Sequence, residues 1–298
     1  MLATFQTPLI RLASLFPERA VYAKCEFLAP SGCFKIRGAT HLLERLSRQV
    51  RSRQLVVPSM GNTALGAAVG AKAYGFSMVG VVPTTISPAK DQKLEALGVE
   101  LVKVPGGGSE LLARAQDIAR ERGAYFVHPH LDPLWTDGYQ AIAEEIFDAL
   151  PDCRSLVFPL GGGGLLMGLS EYLRKGAARV RLFGCEPYNF PKYARFDHSR
   201  TATVADGLLL EIPHPAVQAR IAEEGIAVPL VSESEIRSAL KELFERQALI
   251  IEPSSAVGTA FVASHAAELE EPICVILTGE NIARDQHARL MEPQTTDD

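Results

Sequence analysis

The sequence predicts an α/β fold built on a mainly parallel sheet with crossover helices, and two observations predict it. Short apolar runs rich in β-branched residues alternate with longer amphipathic segments, and three glycine-bearing turns follow such runs. In chain order the strand candidates are QLVVPS (54–59), SMVGVVP (77–83), VELVKVP (99–105), SLVFPL (155–160), VRLFGCEP (180–187) and PICVILTG (272–279). Among the helix candidates, FKIRGATHLLERLSRQ (34–49) keeps apolar or small residues on one face, and ELLARAQDIARERG (110–123) ends on a glycine cap. SESEIRSALKELFERQ (232–247) opens with the serine and acidic residues that suit a helix start. VPGGGSE (104–110) marks a strand-to-helix turn, and no internal repeat or low-complexity linker interrupts the pattern. Periodicity is lost after Met291, which predicts a disordered tail.

The 298 residues, 47% hydrophobic and 22% charged, suffice to bury a substantial core in one large or two modest domains. A formal net charge of -5 lacks the basic excess that neutralises a nucleic-acid backbone, and the apolar runs fall short of the roughly 20 residues that span a bilayer. Neither nucleic acid nor membrane is therefore an expected partner. MLATFQTPLI does not read as a secretory signal, so a cytoplasmic location is expected. The five cysteines, Cys25, Cys33, Cys153, Cys185 and Cys274, are scattered, without a Cys-x-x-Cys pair, and read as buried reduced thiols.

Chemistry concentrates at the turns, because ligands of open α/β sheets sit beyond the carboxyl ends of the strands. In LGGGGLLMG (160–168) four consecutive glycines remove side chains, so backbone N–H groups can close around an anion at the start of a helix. That suits a phosphate monoester. No Gly-Lys-Ser/Thr follows and no Gly-x-Gly-x-x-Gly runs through it, which weakens the nucleoside triphosphate and dinucleotide readings; a plain tight turn stays open. PSMGNTALG (58–66) places Ser59, Asn62 and Thr63 after a strand, offering hydroxyls and N–H groups to a carboxylate and an amide to a ring oxygen. Taken alone, Asn62 reads equally as a turn or cap residue, and Thr278 in VILTGENI (275–282) as a helix cap.

Lys35 completes the set. At a helix N-terminus the dipole opposes an ammonium, and burial lowers its pKa further, so a larger fraction is nucleophilic amine. A reactive lysine, a phosphate cradle, an amide and a terminal hydroxyl together describe what pyridoxal 5′-phosphate needs. His128 and His130 in FVHPHLDP stand close enough to suggest a metal pair, but no third ligand has a useful spacing, and packing or loop hydrogen bonding is the expected role.

With these motifs in order, the sequence resembles the fold-type II pyridoxal-phosphate enzymes, relatives of the tryptophan synthase β subunit, and among them the threonine/serine dehydratase and serine racemase branch. The resemblance runs from TPLIRL (7–12) to LTGENI (277–282). KCEFLAPSGCFKIRGA is similar to the family's Schiff-base segment, which matches its lysine to Lys35, sets Phe34 beside the cofactor and puts Cys33 where serine is usual. The resemblance gives Asn62 the cofactor's ring oxygen, and places Ser59, Met60, Gly61, Asn62 and Thr63 around the substrate carboxylate. It gives Gly161, Gly162, Gly163, Gly164 and Leu165 the phosphate, and Thr278 the pyridine nitrogen. FKIRGA, GCEP (184–187), ADGLLL (205–210) and EPSSA (252–256) look like dehydratases, whereas Thr63 in place of histidine and GYQAIAEEI (138–146) look like threonine synthases. Met60 stands where racemases have serine, and a thioether cannot supply a second proton-transfer face, so racemisation is disfavoured. Some relatives hold a divalent cation near the residue matched by Glu186; the acid expected six residues later is Lys192, so no metal site is carried over.

The resemblance implies two open, twisted, mainly parallel sheets flanked by helices, with the cofactor between them. A small substrate-closing domain of residues 57–134 would be inserted in a large cofactor-binding domain of 1–56 plus 135–298, without a regulatory domain, in a homodimer. It implies β-elimination from L-threonine or L-serine to a 2-oxo acid and ammonia, with Lys35 removing the Cα proton and the neutral Thr278 favouring elimination over transamination. β-Replacement or a threonine synthase-like reaction through the same aminoacrylate or aminocrotonate is the alternative, and a non-catalytic pyridoxal-phosphate-binding protein a lesser one.

Overall fold

The computed structural model describes residues 5–49, 52–59, 61–128, 130–176, 179–196, 202–209 and 213–292. Its strands are β1 (Leu9–Arg11), β2 (Val21–Cys25), β3 (Gln54–Pro58), β4 (Ser77–Pro83), β5 (Glu100–Val104), β6 (Tyr125–Phe126), β7 (Ser155–Pro159), β8 (Arg181–Pro187), β9 (Leu230–Val231) and β10 (Ile273–Leu277). The helices are α1 (Lys35–Gln49), α2 (Asn62–Tyr74), α3 (Pro88–Ala96), α4 (Gly108–Arg122), α5 (Pro133–Asp137), α6 (Gln140–Ala149), α7 (Gly164–Arg174), α8 (Pro215–Glu224), α9 (Glu233–Gln247), α10 (Pro253–His265) and α11 (Arg284–Met291).

Two sheets organise these elements. The larger has the order β1-β2-β10-β7-β8-β9, antiparallel only between β1 and β2. The smaller, β5-β4-β3-β6, is parallel throughout. Every residue of β7 and β10 is buried, as strands covered on both faces by helices must be, and their apolar sequence, broken only by Ser155, follows from that. The six predicted strands coincide with β3, β4, β5, β7, β8 and β10, each within a residue or so of its ends. Ser232 caps α9 as its sequence predicts, with its hydroxyl accepting from the Glu235 N–H while the Glu235 carboxylate accepts from the Ser232 N–H.

The sequence reading misses β1, β2, β6 and β9. β1, β6 and β9 are three residues or fewer, too short to show a period. β2 pairs with both β1 and β10 but carries Lys24, a buried charge that disguises a strand inside the sheet. Among the described residues no helix is long and apolar enough to cross a membrane. The predicted tail after Met291 lies, beyond Glu292, outside the described residues.

One buried cluster joins Leu55 and Val57 of β3 to Leu156 of β7 and Ile276 of β10 through residues of α1, α2 and α6. Within it, two glycines set how closely α1 and α2 meet. A Cβ on Gly66 would come within 2.8 Å of the Lys35 carbonyl carbon, and one on Gly70 within 2.8 Å of Leu43 Cδ1. The close crossing brings the first residues of the two helices, Lys35 and Asn62, to the same edge of the fold.

Candidate active site

The ends of β3, β7 and β10 open on one cavity of about 620 Å3. Phe34, Lys35, Ser59, Gly61, Asn62, Thr63, Gly161, Gly162, Gly163, Gly164, Leu165 and Thr278 all line it. These residues come from turns up to 244 positions apart (Phe34 to Thr278), so the fold gathers what the sequence leaves scattered. Met60 lies outside the described residues.

Lys35 opens α1, and the Phe34 N–H donates to the Thr278 carbonyl at 3.0 Å, tying the turn to the end of β10. The Lys35 ammonium nitrogen lies 4.5 Å from the centroid of the Phe34 ring and 5.9 Å from that of Tyr139. Burial lowers its pKa to about 8, against the opposing pull of Cys33 and Glu252. A pKa near 8 leaves roughly a tenth of such amines uncharged at pH 7, where an ordinary lysine leaves well under a thousandth. Cys33, 3.7 Å from the Asn62 carbonyl through Sγ, is pushed up to about 11 by burial, so it packs as a thiol.

The glycine turn is shaped by what surrounds it. A Cβ on Gly162 would fall 2.1 Å from Cδ2 of His130, and Gly163, at φ +86°, would drive one into Val217 at 2.4 Å. Gly164 begins α7, whose first N–H groups have no acceptor within the helix. At Gly162 and Gly163 the turn therefore exposes main chain where a side chain would clash. On the opposite loop, Ser59 Oγ accepts from the N–H groups of Gly61 at 2.9 Å and Ala64 at 3.0 Å, which folds that loop onto its own hydroxyl.

Asn62 is not a helix cap: Gly61 precedes α2 and the Asn62 amide instead donates to Glu252 Oε1 at 2.7 Å. Its Oδ1 is buried without a partner among the described residues. Nor does Thr278 cap a helix, since α11 starts only at Arg284; its hydroxyl lies 3.3 Å from Ser255 Oγ, which accepts from the Gly279 N–H at 2.9 Å.

Sequence reasoning gave Glu252, Lys90 and Asp206 no role and His130 only packing or a loop hydrogen bond, yet all four line the same cavity. Glu252 is 3% exposed and pushed up to about 7, by burial first, with Lys90 pulling it back and Asp206 raising it. Its only signal was the motif EPSSA, an acid before a proline that opens a helix. Lys90, buried on α3, pairs with Asp206 at 3.2 Å; burial lowers its pKa, and the two acids Asp206 and Glu252 more than reverse that. His130 lies beside Gly162 with Nδ1 3.4 Å from His214 Nε2, and burial together with Lys35 holds it well below the usual histidine range. His128 takes the expected loop role, its Nδ1 accepting from the N–H groups of His130 and Leu131. Among the described residues no group of three or more side chains could hold a metal ion.

Glu186 and Lys192 form a fully buried ion pair of 3.1 Å. Glu186 Oε2 also accepts from the backbone N–H groups of Lys192, Tyr193 and Ala194, each at 3.1 Å. The protein's own ammonium meets the carboxylate charge here, and such a pair does not fit a divalent cation.

Comparison with known proteins bears on what the cavity serves. A family model described as "Pyridoxal-phosphate dependent enzyme" matches residues 1–279. An L-threonine ammonia-lyase of Geobacter sulfurreducens is 33% identical over 270 residues, which are 88% of this chain and 67% of that protein. The catabolic L-threonine dehydratase TdcB of Staphylococcus aureus is 30% identical over 272 residues, 87% of this chain and 78% of that one. Among solved structures, the processed form of threonine deaminase isoform 2 from Solanum lycopersicum superposes with a TM-score of 0.88 at 26% identity, covering 96% of this chain and 82% of that one.

Proposed function

The chain belongs to the family of pyridoxal-phosphate-dependent enzymes, and from that premise we propose that it removes the β-hydroxyl and amino groups of L-threonine or L-serine, releasing a 2-oxo acid and ammonia. The observation that carries the reading is a half-buried lysine with a pKa near 8 sharing one cavity with a side-chain-free turn and the hydroxyl of Thr278. The residues fit the cofactor. A main-chain turn that a Cβ would fill suits a phosphate, the orphaned Asn62 Oδ1 awaits a donor, and a neutral hydroxyl suits an unprotonated ring nitrogen.

When bound, pyridoxal phosphate supplies an electron sink for the bond broken at Cα. In this reading Gly161, Gly162, Gly163, Gly164 and Leu165 hold its phosphate, Phe34 packs beside it, Asn62 faces its ring oxygen and Thr278 its ring nitrogen. Ser59, Gly61, Asn62 and Thr63 orient the substrate carboxylate, and Met60 belongs to the same loop. Lys35 is the covalent anchor and then the base that takes the Cα proton, a task that the lowered pKa suits. Thr278 would offer the ring nitrogen a hydroxyl in place of a carboxylate, an arrangement that would favour loss of the β-substituent over transamination.

We take residues 57–134, which contain most of the smaller sheet, as the domain that closes over the substrate, with 1–56 plus 135–298 as the cofactor-binding domain. A homodimer is part of this proposal. So is a cytoplasmic location, which five buried free thiols support. Incubating the purified, cofactor-loaded protein with L-threonine and L-serine should release 2-oxo acid and ammonia in equal amounts. No oxo acid from either substrate, with a new β-substituted amino acid formed only when a thiol or other nucleophile is added, would replace elimination with β-replacement.

A further inference from the structure

Glu252 stands where three loops meet. Oε1 accepts from Asn62 Nδ2 at 2.7 Å, and a Cβ on Gly279 would lie 2.7 Å, and one on Gly207 3.8 Å, from the same oxygen. Its backbone is fixed as well, because the Glu252 N–H donates to the Gly279 carbonyl at 3.0 Å and the residue caps the start of α10. Oε2 is buried without a partner among the described residues. A buried carboxyl oxygen in that position either carries a proton or waits for a donor, since an unpaired buried charge is expensive. Three nearby candidate donors are already engaged. Asp206 is half exposed and pairs with Lys90, and Thr278 lies against Ser255. Tyr139, beside Lys35, accepts from the Trp135 indole at 2.5 Å.

Resting on the proposed elimination, we propose that Glu252 is the acid that protonates the departing β-hydroxyl. The Cβ–O bond breaks with its electron pair on oxygen, the proton of Glu252 Oε2 passes to that oxygen, and water leaves. Glu252 is then a carboxylate, and the proton taken from Cα sits on the Lys35 amine. Exchange with solvent returns one proton to Glu252 and removes one from Lys35, so the cycle closes. The charged and titratable groups facing Glu252 are Lys90, Asp206, Lys35 and Cys33, and with its pKa near 7 it keeps a protonated fraction at neutral pH.

Hydroxide leaves poorly without a proton, whereas chloride needs none, so the two leaving groups separate the acid from the rest of the machinery. Glu252→Gln preserves the Asn62 acceptor, and circular dichroism should show an unchanged fold. With L-serine its turnover should fall about 10^2-fold to 10^4-fold. With β-chloro-L-alanine it should stay within about threefold of wild type, and cofactor affinity, read by absorbance titration, should be unchanged. In cofactor-free protein, infrared difference spectra between pH 6 and pH 9 should show a protonated-carboxyl band that is weaker in the variant by the share of Glu252. Equal loss on both substrates, or none on either, overturns the assignment, as does an infrared band that keeps its full intensity after the substitution. A wild-type protein that releases oxo acid from neither substrate overturns the elimination reading, and the acid with it.

Discussion

Lys35 and Arg37 stand two residues apart at the start of α1 and carry the same nominal charge into oppositely built surroundings. Arg37 is buried and meets Glu26 through Nε and Nη2, each at 2.8 Å, and Glu145 through Nη1 at 2.6 Å. Thr7 donates to Glu26 at 2.6 Å, and Lys24 donates to both the Thr7 carbonyl and Glu145. Burial alone would depress Arg37 and raise Glu145; the donors and acceptors around them more than reverse both. Across the helix, the cavity leaves Asn62 Oδ1 and Glu252 Oε2 without partners, and Lys35 and Glu252 drift toward neutrality from opposite sides. Where pairing is complete, charge is locked and positions the helix. Where it is left incomplete, protons move near physiological pH, as acid–base chemistry requires.

The largest break in that contrast comes from Lys35→Ala. Turnover with L-serine or L-threonine should fall by about 10^3-fold or more, since both the anchor and the base are lost. The cofactor's imine absorbance should vanish while denaturant stability changes little, because Lys35 holds nothing else in place. Retained oxo acid release would remove Lys35 from the reaction.

Arg37→Met should do the reverse. It strands Glu26, which is fully buried, beside Glu145, and breaking such a pair from one side costs about 3–5 kcal/mol of stability. Denaturant unfolding of the cofactor-free protein measures it, and the pKa of the Lys35 amine should be unmoved. A loss below about 1 kcal/mol would show that the network is no better than a surface ion pair.

That contrast also marks what the sequence could disclose. Lys35, Asn62, Gly161 to Gly164 and Thr278 were legible because each sits at a strand-to-helix turn, where small and polar residues betray local backbone demands. Glu252, Lys90, Asp206 and His130 were not, because nothing in their own neighbourhoods requires a charge or an imidazole; tertiary folding alone aims them at one cavity. The paired network hid for the same reason. Lys24 disguised β2, and the Thr7 carbonyl together with Glu145, 121 positions on, satisfies it.

The smallest effect is the sharpest, because the two regions predict opposite signs. Glu145 is held below its ordinary value of 4.5 in the fold, so the folded state binds fewer protons than the unfolded chain just below that pH. Its contribution is complete above pH 4.5 and is lost as pH falls through the folded pKa. Glu252, raised to about 7, binds a proton in the fold between pH 4.5 and 7 where the unfolded chain does not, so its contribution to stability falls as pH rises across that window and levels off above it. A shift of this size is worth at most about 3 kcal/mol. Glu252→Gln should therefore gain on wild type between pH 4.5 and 7 by an amount approaching that ceiling, with the acid limb below pH 4.5 intact. Arg37→Met should flatten the acid limb and leave the neutral slope in place. Denaturant unfolding of the three cofactor-free proteins from pH 3.5 to 8.5 measures both slopes, and a difference between wild type and Glu252→Gln that stays flat from pH 4.5 to 7 would mean that the cavity pairs its charges as fully as the network does.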